Sequence, residues 1–357
     1  MQSMTSWRVA WLAWALSMAL PCAAAAQKAT ARQDAAGNPQ VPPAATVAGP
    51  PVVDMDTLLV TGTQPGPGMW QVRKGGHVLW ILGTQSPLPE RMEWQSADVR
   101  EMLAQADAIV RPPGLSVNSD IGLFGKLFLL PSMFKARKNP DGKTLAEVVP
   151  PAQYARWQAL KARWIGKDRG VEQWRPVFAA QALYAAAIRK SGMTAENPVS
   201  PLIDAALKRK PAPEVLDSRA RFEVKNPRAA LKEFNAIALD DGDCFARTLD
   251  RIDGDLDTMK QRANAWAEGD IDALRALPYP NQYAACLRAL SGSAVARRLG
   301  AGDMDGSLRA AWLASAEKAL ATHAVSFGTL PMGMLIQPGP DNYLDRLRAK
   351  GYEVVDP

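Results

Sequence analysis

Along this chain the apolar positions change period several times, and each change predicts an element. Trp70 to Val72 and Val78 to Leu82 are short strand-like runs. Arg73-Lys74-Gly75-Gly76 between them supplies turn glycines, so the pair reads as a β-hairpin. The second run is apolar on both faces, which places it inside a sheet. It leads into Gly83-Thr84-Gln85-Ser86-Pro87-Leu88-Pro89, read as a loop. From about Ser96 to Ala106 the period becomes helical, with Val99, Met102, Leu103 and Ala106 on one face. Ala108-Ile109-Val110 then reads as a buried strand stopped by Arg111-Pro112-Pro113-Gly114.

Residues 145–320 read as helical. Ser200-Pro201 and Asn226-Pro227 each place a capping residue before a first-turn proline. Trp174 to Lys190 and Ser307 to Thr322 are Ala-rich with apolar stripes. Strand character returns at His323 to Phe327, before a loop Gly328-Thr329-Leu330-Pro331-Met332-Gly333. A helix capped by Asp341 follows over 342–350, Gly351 stops it, and Tyr352 to Val355 forms a last strand. The predicted class is α/β: a mixed β-sheet built from the N- and C-terminal parts of the domain, with flanking helices and a large helical insertion.

The first residues follow neither period. Arg8 precedes an apolar run, Val9 to Leu20, which ends at Ala23-Ala24-Ala25-Ala26. That run is shorter than the roughly 20 residues a spanning helix needs, and it ends on an A-x-A pattern. Residues 1–26 are therefore read as a signal peptide cleaved after Ala26, with a periplasmic or secreted destination. An uncleaved anchor and a lipoprotein at Cys22 were the alternatives; Pro21 fits a lipidation box poorly. Residues 27–52, rich in Ala and Pro without an aromatic residue, read as a disordered linker. Residues 53–357 form the expected domain, and no later segment is apolar enough to span a membrane.

Removing Arg8 lowers the formal charge from +6 to +5. Basic and acidic residues interleave, so nucleic acid is not an expected partner. Cys244 and Cys286 remain after the signal, and an oxidising compartment favours their pairing. The bridge would stabilise the fold by roughly 3–4 kcal/mol by closing a loop of about 40 residues. Asp253-Gly254-Asp255-Leu256-Asp257 has Thr258 where a calcium loop needs Gly and Asn264 where it needs Glu, so it reads as a solvated, salt-bridged helix face. Asp240-Asp241-Gly242-Asp243 reads as a cap or turn before the helix of Cys244. Most of the eight tryptophans after the signal read as packing anchors.

Two stretches carry a resemblance. Val78 to Thr84 with Pro87-Leu88-Pro89, and Leu330-Pro331-Met332-Gly333 through Gly351-Tyr352-Glu353-Val354, resemble the opening and closing signatures of the TraB/GumN family, over about residues 68–357. That family includes metal-dependent peptidases of the Tiki type and is similar to erythromycin-esterase-like folds. The resemblance implies a Gly-x-x-His at each end of the domain and a glutamate after the second strand. Such residues could hold a divalent metal and activate a water. Here Ser86 stands at the first histidine position, Arg111 or Pro112 at the glutamate, and Thr329 or Pro331 at the second histidine. His77, expected to be exposed beside the turn, and His323 lie outside the motifs. A cation at the carboxylate position would repel a metal.

The expectation is an eroded metallohydrolase site with no resident metal or cofactor, unless the ancestral site survives in rewired form. The cleft would be lined by Gly83, Thr84, Gln85, Ser86, Arg111, Gly328 and Thr329 and would take a small molecule, a peptide or an envelope partner. Arg111 would favour an anion. Two rivals stand beside it. One is an active hydrolase or peptidase with Ser86 as a weak nucleophile candidate and His323 as its base; the other is a structural part of an envelope or polysaccharide export assembly.

Overall fold

The computed structural model describes residues 66–119, 121–279, 282–339 and 342–357. The signal peptide and linker expected over 1–52 lie outside the described residues, as does the expected cap Asp341.

The chain opens with β1 (Met69–Lys74) and β2 (His77–Thr84), paired antiparallel across Gly75-Gly76. Gly75 has φ +60°, which a turn this short demands and glycine adopts at no steric cost. A short β3 (Leu88–Pro89) precedes α1 (Ala97–Gln105), which buries Val99 and Leu103 as its period requires. Next come β4 (Ala108–Val110), β5 (Gly114–Ser119) and α2 (Leu123–Ala136). The middle supplies α3 (Leu145–Val148), α4 (Pro151–Trp164), α5 (Pro176–Lys190), β6 (Met193–Thr194) and α6 (Ser200–Ala206). It continues with β7 (Glu214–Leu216), β8 (Arg219–Val224), α7 (Pro227–Ala236), α8 (Gly242–Gly254), α9 (Leu256–Glu268) and α10 (Ile271–Ala276). Then follow α11 (Gln282–Ser291), α12 (Ala294–Arg298), α13 (Met304–Thr322), β9 (Val325–Pro331), α14 (Met332–Ile336), α15 (Tyr343–Ala349) and β10 (Glu353–Val355).

Six strands form the main sheet, in the order β10-β1-β2-β9-β4-β7. The two ends of the domain do build it: β10 pairs with β1, and β2 lies inside the sheet between β1 and β9. β2, β9, β4 and β7 run parallel, so their carboxyl ends share one edge. In open α/β sheets that edge is where ligands bind. Trp70, Leu79, Ile81, Phe327, Trp312 and Trp266 pack the two faces of this sheet and are fully buried. Each such aromatic side chain removes some 150–250 Å² from water, the main stabilising contribution to a core of this kind. All eight tryptophans among the described residues are buried or partly buried, as packing anchors should be.

The structure corrects several expectations. The insertion is not purely helical: β7 joins the main sheet, and β8 pairs parallel with β5 in a separate ribbon. The strand expected at His323–Phe327 is β9, Val325–Pro331. Gly328 to Pro331 are therefore strand rather than loop, because both β2 and β4 draw β9 into their ladders. Gly83 and Thr84 likewise end β2 instead of opening a loop. Ser200 does not cap α6, whose cap is Val199, whereas Asn226 caps α7 by accepting from the Ala229 amide. The last helix is capped by Asn342, which accepts from the amides of Leu344 and Asp345.

The Cys244–Cys286 disulfide is formed, linking α8 to α11 over a sequence separation of 42. Asp241, at the start of α8, makes no side-chain cap for its own helix. Its carboxylate accepts from the Val177 amide at the start of α5 (2.9 Å), and burial raises its pKa to about 6. Two arginines are fully buried. Arg175 donates to the carbonyls of Ala136, Phe234 and Ile237, closing the ends of α2 and α7. Arg262 pairs with Asp255 and donates to the Pro278 carbonyl. Among the described residues, no helix is long and apolar enough to cross a membrane.

Candidate functional site

The carboxyl edge of the parallel strands presents two polar groups, one at the end of β2 and one at the ends of β4 and β7. At β2 the chain leaves the sheet through Gln85 and Ser86. Gln85 is 4% exposed and accepts a hydrogen bond from the Tyr279 hydroxyl (3.1 Å). Trp266 donates its indole N–H to the Gly83 carbonyl (2.7 Å), and Thr84 donates to the Leu330 carbonyl. Gly83 packs closely: a Cβ there would lie 2.5 Å from the Met332 methyl and 3.1 Å from the Trp70 ring, so Met332 would have to shift. Trp94 closes over Trp266 with ring centroids 5.3 Å apart.

Behind Tyr279 the polar contacts continue. The Arg262 guanidinium lies over its ring, and burial raises the phenol to about 12. Arg262 pairs with Asp255, which Arg251 also approaches (3.5 Å). Arg251 donates to Gln282, Gln282 to Thr248, and Thr248 to the Cys244 carbonyl. A continuous polar path thus runs from the Gln85 loop to the disulfide. Desolvated charges of this kind persist only when their partners are in place.

The second group is cationic. The Arg111 amide bonds the Leu216 carbonyl (3.1 Å), which fixes the residue after β4 beside the end of β7. Asp217, directly after β7, takes a two-pronged ion pair from Arg219 and a further contact from Arg221. The Arg219 hydrogen bonds hold its carboxylate down at about 2. Arg111 is lowered from the usual guanidinium range, first by burial and then by the nearby Arg219 charge, with Asp217 and Asp204 opposing. Ser218, between these residues, is fully buried, and its hydroxyl has no hydrogen-bond partner among the described residues.

The expected site residues therefore separate. Gln85, Ser86 and Arg111 reach the carboxyl edge, with Ser86 exposed and Arg111 two strands away, roughly 10 Å at the usual strand spacing. Gly328 and Thr329 sit inside β9, and Thr329 is 2% exposed, so these two are strand interior. Both histidines lie at the opposite edge. His77, half-buried rather than exposed, bonds the Leu320 carbonyl through Nδ1 (2.7 Å). His323 bonds Glu214 through Nε2 (3.1 Å). Since β2 and β9 are parallel, His323 and Ser86 are separated by more than the length of the strands, roughly 25 Å. That separation removes His323 as a base for Ser86.

A divalent metal does not fit the residues at this edge. The side chains at the motif positions are Ser86, Arg111 or Pro112, and Thr329 or Pro331, and Asp217 beside Arg111 is already held by Arg219 and Arg221. Among the described residues, no three His, Cys, Asp or Glu side chains converge as a metal site. A groove of about 640 Å³ lies elsewhere, between α13 and α15, with Arg309, Glu317 and Lys350 in its lining.

Sequence reasoning missed Trp266 and Tyr279 and read Asp255 only as part of a solvated, salt-bridged helix face. The acidic run over 253–257 was the one signal. Asp253 does pair with Arg156 at the surface, but Asp255 is buried against Arg262 rather than solvated. Only the helix packing around β2 reveals that.

No curated protein and no solved structure matches the chain. The TraB/PrgY/gumN family model matches residues 68–356, the whole of the sequence from β1 to the last strand, and the chain belongs to that family.

Proposed function

We propose that this TraB/PrgY/gumN-family chain is an exported, non-catalytic binding protein that takes an anionic ligand, such as a carboxylate or an acidic sugar, at the carboxyl edge of its sheet. Arg111 carries this reading. Arg111 or the adjacent Pro112 stands where the family resemblance implies a metal-ligating glutamate, and Arg111 lies at the same edge as Gln85 and Ser86. A guanidinium forks onto a carboxylate with two parallel hydrogen bonds, and its partial burial strengthens such a contact by excluding water. Export rests on the first 26 residues and would deliver a chain beginning near Gln27.

The test is a thermal-shift panel of carboxylates and acidic sugars on the purified protein. A ligand at 100 times its Kd stabilises by about 2.7 kcal/mol, a visible rise in Tm. The expected result is stabilisation by at least one acidic compound, lost in Arg111→Ala, with neutral analogues inert. Equal responses of the two proteins to every acidic compound contradict the role of Arg111. N-terminal sequencing of the chain recovered from outside the cytoplasm tests export.

A further inference from the structure

We infer that α2 is a docking face for an anionic lipid surface, on which the protein lies without spanning it. This does not rest on the ligand site proposed above. α2 covers Leu123–Ala136 and buries a narrow stripe, with Leu129 and Ala136 packed inward. Asn235 of α7 bonds the Ser132 carbonyl on the same side. Among its described side chains, several large apolar ones are exposed. Phe128 is 72% exposed, Phe134 50% and Met133 38%, with Pro131 exposed between them. Phe128 and Phe134 are the two exposed phenylalanines among the described residues. Soluble surfaces scatter single apolar side chains, but several large ones on one helix mark a contact.

Charge selects the occupant. From residue 121 to residue 139 the chain has Lys126, Lys135, Arg137 and Lys138 and neither Asp nor Glu. The Arg137 guanidinium stacks on the Phe134 ring, so a cation and an apolar anchor share one place. The neighbouring α7 adds exposed Arg228 and Lys232, while its Glu233 is occupied by Arg298. Exposed phenylalanines on a helix beside exposed lysines is a composition that settles at a lipid interface. Cations near an anionic leaflet add attraction that salt screens. A protein partner would require complementary acids in a fixed arrangement, whereas a lipid surface requires only this combination of apolar side chains and positive charge.

Flotation of the purified protein with vesicles tests this, comparing phosphatidylcholine alone with an equal mixture of phosphatidylcholine and phosphatidylglycerol. The expected result is recovery with the mixed vesicles only, reduced by high salt. Phe128→Ser/Phe134→Ser should lower partitioning by about tenfold or more at unchanged Tm, as loss of two apolar anchors implies. Lys135→Glu/Lys138→Glu, which leaves every apolar contact in place, should also weaken it and guards against a folding defect in the first variant. Absence of flotation with either vesicle overturns the proposal. So does equal flotation with both, or flotation indifferent to both variants. A stable dimer in solution that Phe128→Ser/Phe134→Ser dissociates would assign the face to a second copy and overturn it too.

Discussion

The end of β2 and the ends of β4 and β7 lie on the same sheet edge but are built differently. At β2 the buried polar groups are committed: Gln85 to Tyr279, Gly83 to Trp266, and Arg262 to Asp255. At β4 and β7 the charges are partly exposed and positive on balance, with Arg111, Arg219 and Arg221 around Asp217. Burial makes the first group a support, since its members cannot exchange partners without leaving a desolvated charge or amide. Partial exposure makes the second a surface that a solute can reach. The comparison teaches that burial, not polarity, separates a polar cluster that supports a sheet edge from one that solvent reaches.

Removing Arg262 should produce the largest effect. Arg262→Ala strands buried Asp255 and frees Tyr279, and a loss of about 3–5 kcal/mol is expected in chemical denaturation. Cys244→Ser/Cys286→Ser should cost roughly 3–4 kcal/mol, because the unfolded chain regains the freedom of a long loop. Tyr279→Phe removes one hydrogen bond to a buried amide and should cost about 1 kcal/mol. Arg111→Ala should change stability by about 0.5 kcal/mol or less, as expected for a residue outside the core. A large loss of stability in that variant would place Arg111 among the supports and erase the contrast.

Acid separates two carboxylates by sign. Asp217 is held at about 2 against an ordinary 3.8, so its folded form binds fewer protons than the unfolded one between those values. The stability it provides is complete above about 4 and is lost as pH falls toward 2. Asp241 is raised to about 6, so the folded state binds more protons between 3.8 and 6, and stability falls as pH rises through that window. Asp241→Asn should flatten the profile of Tm against pH between those two values, while Asp217→Asn should flatten it below 4. An unchanged profile in either variant contradicts the corresponding assignment.

The hairpin, the first helix, β4, the C-terminal helix and the disulfide were legible because each rests on local period, turn chemistry or compartment. The end of β9 was not. Gly328-Thr329-Leu330-Pro331 has loop composition, and only the two flanking ladders make it strand. β7 was hidden for the same reason: a three-residue strand between helices carries little pattern of its own. Of the candidate site, Gln85, Ser86 and Arg111 could be placed from their position after strand-like runs. Trp266 and Tyr279 could not, because they come from helix α9 and the segment after α10, remote in sequence from β2.

The most direct test of the altered edge is a thermal-shift measurement on the purified protein with zinc, manganese and cobalt, each followed by a chelator. With Arg111 and Ser86 at the motif positions, Tm should stay where it is through every addition. Stabilisation by one of these metals, reversed by the chelator, would show that a metal site survives and would contradict the account.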